Sequence, residues 1–467
     1  VQRADKREKN MTRLPAILAA FVLLLLACTA MPANHASLQA EPAAPAQQMQ
    51  QTPPVAASPS TAAPAEAEKE VKAYTLPPDL YEKAEKLSRA RYTLYFVDLA
   101  WGILVLFVIL SWRLGPKYRD WAERGTSRRF LQAAIFAPLL LLTMAVLGLP
   151  TGIYGQWLER SYGLSVQGWG SWFRDWAVAQ ALALILGTLF AWILYGVIRR
   201  SARRWWFYFW LASLPILLFV FFISPVVIDP LFNKFEPLES KDPPLVTALE
   251  KVVQRGGMVI PPERMFWMNA SAKTKELNAY VTGFGASKRV VVWDTTIARM
   301  TSSQTAFVFG HEMGHYVLNH VPKGLAFFSG LLLVLFYLGF RAIHGLLARH
   351  GSRWGIRGVD DWASLPALLV LLTVLVFLAT PLVNAFSRYQ EHQADQYGLE
   401  VTHGLFPNSS EEAARAFQAL GEVSLSDPDP NPFIRFWLYS HPPIGERVQF
   451  SLTYDPWSKG EQPEFVK

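Results

Sequence analysis

The residues with the plainest chemistry are His311-Glu312-Met313-Gly314-His315. Two histidines at this spacing lie on one face of a helix, one turn from each other. Their imidazoles can close on one zinc ion and leave room for a third ligand and a water. The Glu312 carboxylate, beside the first histidine, can reach that water as a general base. The flanks suit a helix. Thr301, Ser302 and Ser303 offer N-cap oxygens, Ala306-Phe307-Val308-Phe309 is an apolar run, and no proline interrupts residues 301–320.

The third ligand must be a side chain that reaches the same metal. A histidine six residues after His315 would complete one zinc pattern, but that position is Val321. His320 falls one residue short and is expected to point elsewhere on the helix. A better candidate follows the last apolar segment, where Glu391 and Asp395 share a helical face. One can bind zinc while the other accepts a hydrogen bond from a liganding imidazole and fixes its tautomer.

Three short runs ahead of the histidine helix read as strands: Met265–Met268, Asn278–Thr282 and Arg289–Trp293, with a turn at Gly283–Lys288 between the last two. Residues 243–254 read as a short amphipathic helix. The edge of such a sheet can hold an extended peptide as an added strand. A sheet that only shields the helix is the alternative.

The chain that positions these groups is 51% hydrophobic and 17% charged, with 17 Trp and 30 Phe, and its mean hydropathy is +0.17. That composition describes a membrane protein with soluble parts. The net charge of +7 sits largely in short loops between apolar segments, which argues for membrane orientation and against nucleic-acid binding. The single cysteine, Cys28, excludes an intrachain disulfide and a cysteine-based zinc site.

Six apolar spans are expected near residues 96–112, 131–149, 176–198, 206–228, 325–343 and 364–386. Arg and Lys concentrate after the first, third and fifth of them, so those loops are expected in the cytoplasm. The histidine helix then lies on the opposite, periplasmic side of a bacterial inner membrane. Met11 is the expected natural start. The run from Arg13 through Leu14–Leu26 has the form of a secretory signal, and Leu25-Leu26-Ala27-Cys28 resembles a bacterial lipoprotein cleavage box. Lipidation at Cys28, ordinary cleavage nearby and a retained first helix all stay open.

The chain divides accordingly. Residues 1–30 are a signal, a lipoprotein signal or a first membrane helix. Residues 31–77 are a disordered linker rich in Ala, Pro and Gln. Residues 78–228 hold a charged surface helix (78–93) and four transmembrane helices. Residues 229–322 carry the sheet and the histidine helix, residues 323–386 two further transmembrane helices, and residues 387–467 the third zinc ligand and C-terminal helices.

Taken together, the motifs resemble the type I CAAX prenyl endopeptidase family of multi-span membrane zinc proteases, and the HtpX-type bacterial proteases of the same clan. The resemblance runs from about Tyr81 to Arg447. It rests on His311–His315, on Ser387-Arg388…Glu391…Gln393-Ala394-Asp395, on Asn278-Ala279-Tyr280, and on Tyr439-Ser440-His441-Pro442-Pro443…Glu446-Arg447. It implies Glu391 as the third zinc ligand and Asp395 as the partner behind a ligand. It also implies Asn278 and His441 as oxyanion donors, with Arg447 near the substrate end or bracing the site. The family has seven spans that can enclose a chamber; here Leu14–Leu26 would be the seventh. Eukaryotic members face the cytosol, whereas the loop charges here put the site outside, and a bacterial chain is not expected to meet prenylated substrates.

The expected fold is thus mainly α, a multi-span transmembrane bundle with a zincin-like metalloprotease domain. The expected activity is zinc-assisted hydrolysis of peptide bonds in membrane-associated or extended proteins, in processing or membrane-protein quality control. The partners are a peptide bound as a strand and membrane lipids. The rival is a membrane transporter or lipid-handling protein with a structural zinc. Four protein ligands mark a structural site, whereas three ligands and a base are found here.

Overall fold

The computed structural model describes residues 71–223, 227–283 and 288–466, apart from the side chains of 216, 217 and 219–223. The readings for Cys28, for Leu14–Leu26, for the linker up to residue 70 and for the centre of the turn after Gly283 lie outside the described residues.

The surface helix expected at 78–93 and the first span are one continuous helix, α1 (Pro78–Ser111). No glycine or proline between Asp79 and Trp101 would break it. After it come the amphipathic α2 (Leu114–Gly125), then α3 (Arg129–Ser161), α4 (Trp169–Arg200) and α5 (Trp205–Ile223). Five described helices are long and apolar enough to cross a membrane: α1, α3, α4, and two later ones at His320–Trp354 and Trp362–Thr402. The span expected at 206–228 is the shorter α5, which packs Phe209 against Phe336 with ring centroids 5.0 Å apart. Pro138, Pro215 and Pro381 lie inside continuous helices, as kinks rather than breaks would place them.

The basic loops meet at one end of this bundle. Arg119 is buried and pairs with Asp361 at 2.6 Å; Arg113 donates to the Arg353 carbonyl at 2.9 Å. Arg199 donates to the Asp360 carbonyl, and Arg357 forks onto Glu123.

At the other end the sequence turns soluble. Strand β1 (Phe235–Pro237) precedes α6 (Pro243–Arg255), and β2 (Met265–Met268), β3 (Ala279–Thr282) and β4 (Arg289–Trp293) complete a sheet of order β1-β2-β4-β3. The pairings β1–β2 and β3–β4 are antiparallel, and β2–β4 is parallel. The sequence reading missed β1, whose three residues include a proline. The Trp293 N–H donates to the Asn278 carbonyl. Antiparallel alternation then turns the main-chain groups of Ala279 and Val281 toward the free edge of β3.

Helix α7 (Ser302–Val317) opens on a capping box between Thr301 and Gln304, a device of about 1 kcal/mol. Ala306, Phe309 and Met313 face a core formed with α6 and the sheet. The chain then reverses at Asn319, in the left-handed region at φ 56°, and enters α8 (His320–Trp354). Asn tolerates this conformation better than most residues. Helix α9 (Leu365–Thr402) runs out of the membrane alongside α7, and α10 (Ser409–Val423), α11 (Pro432–Leu438) and α12 (Ile444–Thr453) close the soluble part.

Helices α7 and α9 cross with almost no space between them. A Cβ on Gly398 would stand 3.0 Å from the His311 backbone nitrogen, and one on Gly310 2.8 Å from Val401 Cγ1. One on Gly314 would meet the Tyr397 ring and Cβ at 3.1 Å. Gly398→Ala should therefore push the helices apart and destabilise the protein by about 1–3 kcal/mol, as overpacking does. Thermal unfolding in detergent checks this; an unchanged melting temperature would show that the crossing has slack.

Candidate active site

The crossing of α7 and α9 brings three side chains together. His311 Nε2 lies 3.3 Å from His315 Nε2 and 3.2 Å from Glu391 Oε2, and His315 Nε2 lies 3.6 Å from Glu391 Oε1. One ligand atom from each falls within 4.8 Å of the others, a group able to hold a metal ion. Glu391 Oε2 is buried and makes no hydrogen bond, although imidazole nitrogens surround it. A buried carboxylate oxygen left without a donor is costly. A cation among two imidazoles and this carboxylate removes that cost, so the donor set fits zinc.

The outer nitrogens are also held. Asp395 Oδ1 lies 2.8 Å from His311 Nδ1. A carboxylate accepts, so Nδ1 carries the hydrogen and Nε2 turns its lone pair inward. Arg447 forks onto Asp395, with Nε at 2.9 Å and Nη2 at 2.6 Å, and stacks over Phe417 at 4.2 Å. Of the two expectations for Arg447, near the substrate or bracing the site, the geometry matches the brace.

His320 is where the sequence reading errs. It does not extend the histidine helix; the turn at Asn319 swings it back, so that its Nδ1 lies 3.0 Å from His315 Nδ1. Its Nε2 lies 3.3 Å from Gln393 Oε1, and its carbonyl accepts from Gln390 at 3.1 Å. A left-handed Asn ahead of it was the only signal.

The electrostatics follow the packing. Burial lowers the His311 pKa, but the hydrogen bond to Asp395 and the charges of Asp395 and Glu391 outweigh it and raise it to about 10. In the absence of a metal this imidazole holds a proton where a cation would sit. Burial, then the charge of His311, press His315 down to about 3. Burial also lowers His441. Glu312 is pushed up to about 7, chiefly by burial, against the pull of His311 and a hydrogen bond from the Val281 N–H. That N–H lies on the free edge of β3, and the Tyr316 hydroxyl donates to the Val281 carbonyl at 3.3 Å. Glu312 is thus tied directly to the edge strand.

His441 lies beside the cluster, its Nε2 3.3 Å from Glu391 Oε2. Its loop is fastened from two helices. Asn384 donates to the Trp437 carbonyl at 2.6 Å and Arg388 donates to the Tyr439 carbonyl, both from α9. Tyr92 of α1 meets the Tyr439 hydroxyl at 2.7 Å and Asp427 at 3.0 Å. Asn278 is exposed just ahead of β3, with its backbone pinned by Thr296. Among the described residues, no hydrogen bond joins its amide to the cluster.

A helix-borne histidine pair with an adjacent carboxylate, completed by a carboxylate from the end of a membrane-crossing helix, defines an integral membrane metalloprotease. The chain belongs to peptidase family M48. Residues 239–453 match the model of that family, and residues 57–234 match that of the CAAX prenyl protease N-terminal region with its five membrane helices. The chain is 38% identical to the uncharacterized metalloprotease YhfN of Bacillus subtilis, over 78% of this chain and 84% of that one. It is 27% identical to the CAAX prenyl protease 1 homolog of Dictyostelium discoideum, over 79% of this chain and 85% of the relative. It shares the fold of the S. mikatae Ste24p crystal structure, with a TM-score of 0.70 at 23% identity, covering 84% of this chain and 93% of the other. The expected family and the mainly α membrane fold are therefore both met.

Removing one partner of a buried ion pair costs about 3–5 kcal/mol, because the other charge stays buried alone. Arg447→Leu leaves Asp395 with the His311 imidazolium as its remaining partner, so the loss is the smaller one of hydrogen bonds between charged groups. It should lower stability by about 1.5–3 kcal/mol in denaturant unfolding of the metal-free protein. Wild-type stability would mean that Arg447 does not brace the site.

Proposed function

We propose that this protein is a zinc endopeptidase in which His311, His315 and Glu391 hold the metal and Glu312 is the general base. The observation that carries this reading is the convergence of three ligand atoms, from the buried His311 and Glu391 and the half-buried His315, beside an unliganded carboxylate. Three protein ligands leave a position for reaction, whereas a structural site would be closed by four. This is also what disfavours the transporter or lipid-handling alternative.

Zinc bound there supplies Lewis-acid chemistry, polarising a water and the scissile carbonyl. Glu312 takes the water's proton and returns it to the leaving amine, a role suited to a carboxyl pushed toward neutral pH. Asp395, braced by Arg447, keeps His311 in the tautomer that ligates. His441, within reach of Glu391, donates to the developing oxyanion, a contact worth about 3 kcal/mol. Asn278 shares that task from the start of β3. An extended substrate adds to β3 through the outward groups of Ala279, next to the Val281–Glu312 contact.

The substrate is a membrane-associated or extended protein. Its C-terminus need not be prenylated, although the relatives named above include CAAX prenyl proteases. The protein lies in a bacterial inner membrane with the site on the periplasmic side. Support comes from the gathering of Arg113, Arg119, Arg199 and Arg357 at the end opposite the metal site, where the positive-inside rule puts the cytoplasm.

Purified protein should carry one zinc per chain, lost in His311→Ala, His315→Ala and Glu391→Ala. Glu312→Gln should keep the zinc while cleavage of casein falls at least about a hundredfold. Near-wild-type turnover in that variant would sink the mechanism, and zinc retained by Glu391→Ala would sink the third ligand. For sidedness, single cysteines replace the exposed Val259 and Ser352 in a Cys28→Ser background. A membrane-impermeant thiol reagent on spheroplasts should label the first and spare the second; the reverse pattern would put the site in the cytoplasm.

A further inference from the structure

Both imidazoles of the cluster have one nitrogen turned inward and one turned out. For His311 the outer nitrogen meets a carboxylate. For His315 it meets a second imidazole, and the direction of that contact can be worked out from its far end. Gln393 Oε1 only accepts, so His320 Nε2, 3.3 Å away, carries the hydrogen. A neutral imidazole protonated on Nε2 keeps its lone pair on Nδ1. That lone pair faces His315 Nδ1 at 3.0 Å and accepts its hydrogen. The His315 lone pair is then left on Nε2, 3.3 Å from His311 Nε2 and 3.6 Å from Glu391 Oε1.

We infer that His320, oriented by Gln393, is the positioning residue that fixes His315 as an Nε2 metal ligand. This rests on the ligand set proposed above. The ring has no freedom to serve otherwise. His320 is 3% exposed, its ring edge meets that of His315 at 5.1 Å between centroids, and its carbonyl is tied to Gln390. Gln390 and Gln393 lie on α9 within three residues of Glu391, so one helix supplies a ligand and also sets the orientation of a ligand on its neighbour. The relay is neutral throughout. A carboxylate in place of His320 would orient His315 equally well, but would add an anion to a site that already holds the carboxylates Glu391 and Asp395. The site thus uses one charged brace, on His311, and one neutral brace, on His315.

The test uses full-length protein in detergent, stripped of metal and titrated with zinc against a chelator, and with Co²⁺ followed by its visible absorption. His320→Phe fills the space but accepts nothing. It should weaken zinc binding about tenfold or more, the usual loss when the partner behind a ligating histidine is removed, and should shift the cobalt bands. His320→Gln returns an acceptor and should recover most of the affinity. Gln393→Leu should weaken binding in the same direction and covers the case in which His320→Phe does not fold. Wild-type zinc affinity with unchanged cobalt bands in His320→Phe and Gln393→Leu would overturn the inference. So would a His320→Gln protein as weak as His320→Phe with an equal metal-free melting temperature. His315→Ala separates the two readings. If it loses zinc while His320→Phe does not, only the positioning role fails. If it keeps zinc, the ligand set and the positioning role fail together.

Discussion

The distance between α7 and α9 at Gly310, Gly314 and Gly398 is the constraint on which the site depends. A metal centre tolerates errors of only a few tenths of an ångström in its ligand distances. Its donors here come from helices separated by the whole of α8. Any side chain at the crossing would widen it, because the atoms that a Cβ would strike include backbone and a buried tyrosine ring. Protein interiors do not yield to such insertions without a shift of the elements themselves. With glycines at the contact, the backbone of His311 lies directly against α9, and Glu391 is delivered two turns earlier on the same helix. The core beneath α7, formed by Phe309 and Met313 against Val290, Val292 and Leu249, presses the helix onto this crossing from the other side.

Close packing of this kind forces polar groups into the interior, and two of the carboxylates on α9 are fully answered there. Asp395 receives both arms of Arg447 as well as His311. Glu400, fully buried five residues further along α9, accepts from Gln396, from Tyr454 and from the backbone N–H groups of residues 464–466. The second arrangement fastens the C-terminal segment to the helix that carries the first. A buried carboxylate with this many donors is a fixed point rather than a reactive group.

Much of this was legible before any coordinates. The histidine helix and its adjacent carboxylate were plain from Thr301 to His315, because capping, apolar run and histidine spacing agree on one helix. Glu391 and Asp395 were legible as a pair sharing a face; the assignment of Glu391 as the ligand came only from the family resemblance, and in the structure Glu391 is the one beside both imidazoles. The apolar spans were visible because lipid demands long uninterrupted helices. What stayed hidden depended on contacts remote in sequence or on one backbone torsion. The α7–α9 crossing needs Gly310 to meet Val401, which no local pattern records. His320 escaped because a single left-handed residue, Asn319, reverses the direction that helical periodicity predicts. The charged residues of 78–93 looked like a separate helix only because charge and lipid contact change along α1 while its backbone does not.

Helices α8 and α9 also relate the site to the bilayer. Phe327 of α8 and Phe386 of α9 stack at 4.1 Å between centroids, just inside the apolar stretch of each helix. From there Glu391 is five residues along α9 and His320 seven back along α8, about 7 and 10 Å at the rise of an α-helix. No hinge or flexible linker lies between either side chain and the span that bears it. The reacting groups therefore sit at a set height above the hydrocarbon boundary. On the function proposed above, a chain anchored in the same bilayer would present to the site only a bond at that height above its anchor, so the spans would serve as a ruler whose zero is the lipid surface.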